Sequence, residues 1–176
     1  MHDNKIRQQF GMRSASFNQS ARWITDHSLA QAHVKAAGLT IGNGLELCCG
    51  TGIVGQTLKK AGWDMTGVDI TKEMVEETSK HFPAIQGSVE DLPFKPKSFD
   101  LIVMRQAYFL VGNGPNVLKE VRRLLKPKGH FVLSQTVPFS MIDTPWLRKV
   151  HETKQRDMVR FFTADDLRNE LIDHGF

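Results

Sequence analysis

Three features within one short stretch could do chemistry together: glycines that free a turn, a carboxylate in the strand leading into it, and a second acid further on. Leu45 to Cys49 reads as a short buried strand, Gly50-Thr51-Gly52 as a turn, and Ile53 onward as a helix. Glycine at Gly50 and Gly52 lets the backbone bend sharply and approach a ligand without Cβ interference. The first N–H groups of the following helix have no partner within it and face whatever occupies the turn. Gly50 to Gly55 fits G-x-G-x-x-G, and Asp69 stands 19 residues after Gly50. That is near the ~20 residues expected of a group that holds a ribose diol. Glu46 discriminates between ligands. A pyrophosphate on the turn would be repelled by this carboxylate at a cost of about 1 kcal/mol or more at short range. A ligand with an ammonium and a sulfonium would be attracted.

The elements that must position these residues alternate along the chain. A helix is expected over Ser14 to Leu39, ended by Gly38 and the Gly42-Asn43-Gly44 cluster, after a polar, loosely helical lead-in from Met1 to Gly11. Then come a strand into the glycine turn, a helix from Ile53 to Ala61, and a strand from Trp63 to Asp69. Lys72 to His81 should be a helix capped by Thr71, followed by a short strand at Ala84 to Gly87. Phe99 to Met104 is nearly all apolar, as a strand covered on both faces requires. Asn116 to Leu125 has a helical apolar period; Lys126-Pro127-Lys128-Gly129 should break it before a strand from His130 to Val137. A last helix, Ala164 to His174, is capped by Thr163. Strand–helix alternation with short connections implies a Rossmann-like α/β fold, an open, mostly parallel sheet with helices on both faces. Its ligand crevice lies at the carboxyl ends of the strands. Residues 1–43 read as an N-terminal helical lid segment and 44–176 as the ligand-binding domain.

Bulk composition narrows the classes. The 176 residues are 40% hydrophobic and 24% charged, suited to one globular domain with a proper core. A formal charge of +4 is too small to demand a nucleic-acid partner. The only cysteines, Cys48 and Cys49, are adjacent in a strand and point to opposite faces, so a bridge between them would be strained and a reduced, cytoplasmic protein is expected. No apolar run is long enough to cross a membrane as a helix, and no residue set is assigned to a metal. His27, His33, His130 and His151 are read as surface or satisfied core residues, His130 in a turn beside Gly129. The basic residues Arg148, Lys149, Lys154, Arg156 and Arg160 are read as a solvated helix face.

Five segments together resemble a known family. Leu45 to Gly52, Gly67-Val68-Asp69-Ile70, Gly87 to Phe94, Ser98 to Val103 and Glu120 to Gly129 are similar, in order and spacing, to class I S-adenosylmethionine-dependent methyltransferases. The similarity leans toward the branch that acts in ubiquinone and menaquinone biosynthesis and on other small molecules. The resemblance implies S-adenosylmethionine as cofactor and methyl transfer to an O, N or C atom of a small molecule. It also implies roles. Glu46 faces the methionine end, and Cys48, Gly50 and Gly52 form the turn under methionine and ribose. Asp69 accepts the ribose hydroxyls, Ile70 packs beside the adenine, and Ser88 and Val89 contact its edge. Arg105 and Gln106 reach the methionine amine through their backbone. Phe17 and Trp23 are lid candidates, while Arg105, Tyr108 and a residue from Phe139 to Phe161 are candidates for substrate contact.

The sequence departs from the family pattern at two site positions. Cys48 replaces the first glycine of the turn, and Ser88 replaces the usual Asp at the adenine contact, with Glu90 or Asp91 available to compensate. The family's fold continues with two further strands, and Gly175-Phe176 resembles where the next would begin. A truncated chain, or pairing of the apolar edge Phe131-Val132-Leu133 with another copy in a homo-oligomer, is therefore expected. Two alternatives compete with the enzyme reading: a cofactor-holding module without turnover, and an NAD-dependent oxidoreductase. The absence of an Asn-Pro-Pro-Tyr type motif argues against methylation of DNA base amines.

Overall fold

A computed structural model describes residues 2–20, 24–25, 27–38, 41–135 and 163–176. Five strands, β1 (Asn43–Leu47), β2 (Asp64–Asp69), β3 (Ala84–Gln86), β4 (Phe99–Arg105) and β5 (Leu125–Ser134), pair in parallel in the order β3-β2-β1-β4-β5. The order reverses between β1 and β4, which opens a crevice outside the carboxyl ends of those central strands. The helices are α1 (His2–Arg13), α2 (Phe17–Ser20), α3 (His27–Ala37), α4 (Ile53–Lys60), α5 (Lys72–Thr78), α6 (Gly114–Leu124) and α7 (Ala164–Asp173).

Strand periodicity sorts side chains onto two cores. Leu45 and Leu47 of β1 and Ile102 and Met104 of β4 pack with Val117, Leu118, Val121 and Leu124 of α6. The alternate residues Leu101 and Val103 pack on the other face, with Val54 and Leu58 of α4 and Ala30 and Ala37 of α3. Because successive strand residues face opposite ways, Glu46 between Leu45 and Leu47 must point toward the α4 side. That placement follows from the two buried leucines beside it.

Several expected boundaries shift. The lead-in to Gly11 is an ordered helix, α1, with Ile6 buried. A Cβ on Gly11 would lie 3.2 Å from Glu73 Oε2, so α1 lies against the start of α5. The single helix expected over Ser14 to Leu39 is broken into a 3-10 turn (Ser14–Ser16), α2 and α3. The Ile24 carbonyl accepts a hydrogen bond from Arg105 Nη2 at 2.6 Å, a partner from β4 that no local pattern announces. Thr71 precedes α5 without a side-chain cap; its backbone N–H donates instead to Asp69 Oδ1. The strand expected to start at His130 begins at Leu125 and runs through Pro127, with Lys128 at φ 66° and a slip in the β4–β5 register. A bulge of this kind tolerates proline, which has no N–H to give the ladder. His130 consequently lies in the strand opposite Leu101, not in a turn. His33 is a satisfied core residue, buried with Nε2 3.1 Å from Ser134 Oγ. Within the described residues β5 pairs with β4, and Phe131 packs on Phe176 with ring centroids 5.5 Å apart.

Candidate active site

A cavity of about 260 Å³ lies where the strand ends and the N-terminal helices meet. It is lined by Glu46 and Cys48 from β1 and its end, Gly50 from the turn, Asp69 and Ile70 after β2, Ser88 and Val89 after β3, and Arg105 and Gln106 at the end of β4. Residues far apart in sequence are thus brought into one site by parallel strand ends.

The turn is built around left-handed backbone. Gly50 and Gly52 have φ 53° and 74°, and Cys48, which carries a side chain, also sits at φ 49°. Glycine occupies this region freely, whereas a residue with a Cβ is strained there by about 1–2 kcal/mol. Asp69 stitches the turn to β2: Oδ2 accepts from Gly50 N and Oδ1 from Thr71 N, both at 2.9 Å. Ionised carboxylate oxygens have further lone pairs, so these bonds leave capacity for ribose hydroxyls. Burial holds the Asp69 carboxyl above its usual range, opposed by those backbone N–H groups.

Glu46 is 4% exposed, and its Oε2 accepts from Gly55 N at 2.8 Å, inside the first turn of α4. Burial pushes its carboxyl up to about 8, against the pull of the Gly55 N–H and the Arg105 charge. The carboxyl is therefore mostly neutral at pH 7 in the free protein. Gly55 is what allows this packing, since a Cβ there would sit 2.5 Å from Glu46 Oε2 and 2.3 Å from the Phe82 ring. Burial likewise pushes the Cys48 and Cys49 thiols up, which keeps both protonated and unreactive.

The N-terminal segment roofs the site. Phe17 lines the cavity, and its ring lies 3.8 Å from the position a Cβ on Gly50 would take. Asn18 Oδ1 accepts from Thr51 Oγ1 at 2.7 Å, pinning α2 to the turn. Asp3, Ile6, Gln9, Phe10 and Arg13 of α1 also line the cavity, as do Ile24 and the stretch Phe109 to Gly112. The α1 residues were missed because that helix mixes polar and apolar residues and has no clean apolar stripe. The signal was the 3-6-10-13 spacing, one face of a helix. Gln106 takes φ 51° and donates its backbone N–H to Ser134 O at 2.8 Å.

Four expectations need correction or qualification. Gly52 does not line the cavity; its bare Cα is needed because a Cβ would come within 3.0 Å of Phe82 and Thr78. Tyr108 has no exposed surface and belongs to the core under α6, so it cannot touch substrate in this arrangement. Arg105 presents its guanidinium to the Ile24 carbonyl, which gives it a part in seating the N-terminal segment. Of the two groups that could compensate for Ser88, Glu90 lines the cavity, its Oε1 accepting from Asn113 N at 2.8 Å; Asp91 does not. Trp23, His151, the Phe139 to Phe161 segment and the basic stretch with Arg148 lie outside the described residues, and so does the side chain of His27. Among the described residues, no group of three metal-binding side chains occurs and no helix is long and apolar enough to cross a membrane.

Comparison with known proteins agrees with the geometry. A family described as "Methyltransferase domain" matches residues 45–133. A demethylmenaquinone methyltransferase of Tropheryma whipplei is 30% identical over 143 residues, covering 76% of this chain and 60% of the relative. One from Staphylococcus haemolyticus is 34% identical over 133 residues, covering 69% and 52%. The chain thus spans little more than half the length of these relatives. Among solved structures, a SAM-dependent methyltransferase of Thermotoga maritima superposes with a TM-score of 0.70 at 26% identity, covering 93% of this chain and 79% of that one.

Proposed function

The chain belongs to the class I S-adenosylmethionine-dependent methyltransferases, and from that premise we propose that it moves the methyl group of S-adenosylmethionine to an O, N or C atom of a small molecule. The observation that carries this reading is the buried Glu46 carboxyl, which lines the cavity two residues before the turn and which burial pushes up to about 8. A cationic ligand draws off its proton and supplies the partner that burial has removed. That suits a sulfonium and an ammonium.

When bound, S-adenosylmethionine supplies an electrophilic methyl group on sulfur. The protein's residues do the rest. Glu46 pairs with the cationic end, Asp69 accepts from the ribose hydroxyls, Ile70 and Val89 flank the adenine, and Ser88 accepts at its edge. Phe17 closes over the glycine turn and keeps water out. In-line transfer from a cationic donor needs alignment above all, and holding both partners in a dry pocket can supply several kcal/mol of the barrier. Ile24, Phe109, Leu110 and Val111 give the cavity an apolar wall. That wall suits a flat, largely apolar acceptor, and the demethylmenaquinone methyltransferase relatives favour a quinol or phenol. A cytoplasmic enzyme is proposed.

Isothermal calorimetry tests the cofactor. S-adenosylhomocysteine should bind the wild type, and Asp69→Ala should weaken it at least tenfold. Heat with NAD and none with S-adenosylhomocysteine would overturn the reading. Transfer of a labelled methyl group to a panel of quinols, phenols and small amines then identifies the acceptor; binding without any transfer would favour a non-catalytic module.

A further inference from the structure

We propose that His33, acting through Ser134, positions the acceptor side of the cavity, a role that rests on the methyl acceptor meeting the cofactor there as proposed above. The sheet order separates the two ligands. The residues given to the cationic end, the ribose and the adenine follow β1, β2 and β3, on one side of the switch point. The apolar wall Phe109 to Val111 follows β4, on the other side. In-line transfer needs the acceptor on the far side of the methyl group from sulfur, so the stretch after β4 is what aligns it.

That stretch hangs on the end of β5. The Gln106 N–H donates to the Ser134 carbonyl at 2.8 Å, and Gln106 holds φ 51°, a strained conformation for a residue with a Cβ. Gln135 takes the turn at both ends: its Oε1 accepts from Phe109 N at 3.3 Å, and its Nε2 donates to Gln106 Oε1 at 3.4 Å. A left-handed Gln106 persists only while these partners hold it, so the placement of Ser134 and Gln135 decides where the wall stands.

His33 fixes that placement. Phe131 and Leu133 pack with the core under α6 and Val132 with the core under α3, so strand alternation sends the Ser134 side chain toward α3. There its Oγ lies 3.1 Å from Nε2 of His33, which is 2% exposed. An apolar pair would fill this seam without the cost of burying an imidazole. The hydrogen bond adds direction: it sets the height of the end of β5 along α3, which non-directional apolar packing leaves free. The same segment holds the end of β4, since the Ile24 carbonyl ahead of α3 accepts from Arg105. Both strand ends that carry the wall are thus tied to α3 and its lead-in.

Amide hydrogen exchange tests the positioning without any acceptor. Ser134→Ala and His33→Leu should each speed exchange at Gln106 and Phe109 about tenfold, the scale of one hydrogen bond. The amides of Cys49 and Gly87, which donate to Val68 O and Asp69 O on the cofactor side, should stay within about twofold. Ser134→Thr keeps the hydroxyl and should match the wild type. Labelled methyl transfer to naphthohydroquinone tests the consequence: in Ser134→Ala the KM for that acceptor should rise about fivefold to tenfold. Binding of 5′-methylthioadenosine, which reads ribose and adenine alone, should stay within about twofold by calorimetry. Faster exchange at all four amides alike, or at none, would overturn the positioning role, and so would an equal loss in Ser134→Thr. Faster exchange confined to Gln106 and Phe109 with an unchanged KM would overturn its bearing on the acceptor. A wild type that transfers no methyl group to naphthohydroquinone would overturn the quinol reading above and the acceptor role with it, whatever exchange shows.

Discussion

Cys48 holds a backbone conformation that its neighbours in the turn reach with glycine. At φ 49° it is strained, yet its side chain packs beside the main core cluster and lines the cavity. Replacement by glycine relieves the strain but loses that packing and adds freedom to the unfolded chain, so the terms nearly cancel. Cys48→Gly should therefore change stability by less than about 1 kcal/mol, whereas Cys48→Val, with a branched Cβ at positive φ, should cost about 2 kcal/mol or more. Urea denaturation of both variants checks this; equal effects would show that φ is not the constraint. Cys48 was recognisable in sequence as a misplaced glycine position. Its left-handed conformation, and its survival through packing, were not, because neither belongs to the local pattern.

At the scale of elements, the β1–turn–α4 unit works as a single clamp on the Glu46 carboxyl. Leu45 and Leu47 fix which way Glu46 points, and Gly55 lets α4 come close enough for its N–H to reach Oε2 at 2.8 Å. A methyl group at Gly55 would collide with both Glu46 and Phe82. Gly55→Ala should cost about 2–4 kcal/mol and abolish cofactor binding, despite the better helix propensity of alanine. Thermal melting and calorimetry would detect it, and a variant of unchanged stability would mean that α4 moves aside freely. Gly55 was legible as the last glycine of a G-x-G-x-x-G pattern, but the pattern assigns it to a pyrophosphate-binding turn. Here its bareness serves a carboxyl group on the preceding strand, β1. The loop that carries Ser88 and Val89 is held in a similar way from a distance: Arg123 of α6 donates to the carbonyls of Leu92 and Phe94 and to Glu120.

For the whole molecule, the buried acids set the pH response. The Glu46 carboxyl is raised by burial from 4.5 to about 8 in the folded protein. A folded value above the unfolded one contributes stability that is fully present below pH 4.5 and is lost as pH rises through about 8. Asp69 acts in the same direction, being raised by burial as well. Asp100 and Glu120 act in the opposite sense, held low by Lys126 and Arg123, so their contribution is lost only toward acid. The free protein should thus lose melting temperature between pH 5 and 8, and Glu46→Gln should flatten much of that slope. Cofactor binding should reverse the trend, because the bound cation favours the ionised carboxylate. Calorimetry at pH 7 in two buffers of different ionisation enthalpy should show close to one proton released per ligand bound; no release would contradict the pairing of Glu46 with a cation.

The sequence by itself determined the alternation of strand and helix, the turn, and the acids at the ends of β1 and β2. These are written in periods of 2 and 3.6 residues and in short spacings that the backbone reads locally. It also carried the resemblance that names the cofactor, since five motifs in order are a property of the chain alone. Only the tertiary structure decided that Tyr108 is core, that Gly52 packs on Phe82 without facing the ligand, and that α1 supplies a wall of the site. It also decided that Arg105 holds the carbonyl of Ile24, 81 residues before it. The physical reason is the same in each case. Burial, charge pairing and the closing of a cavity depend on groups brought together by the fold, and no local period records which of them will meet.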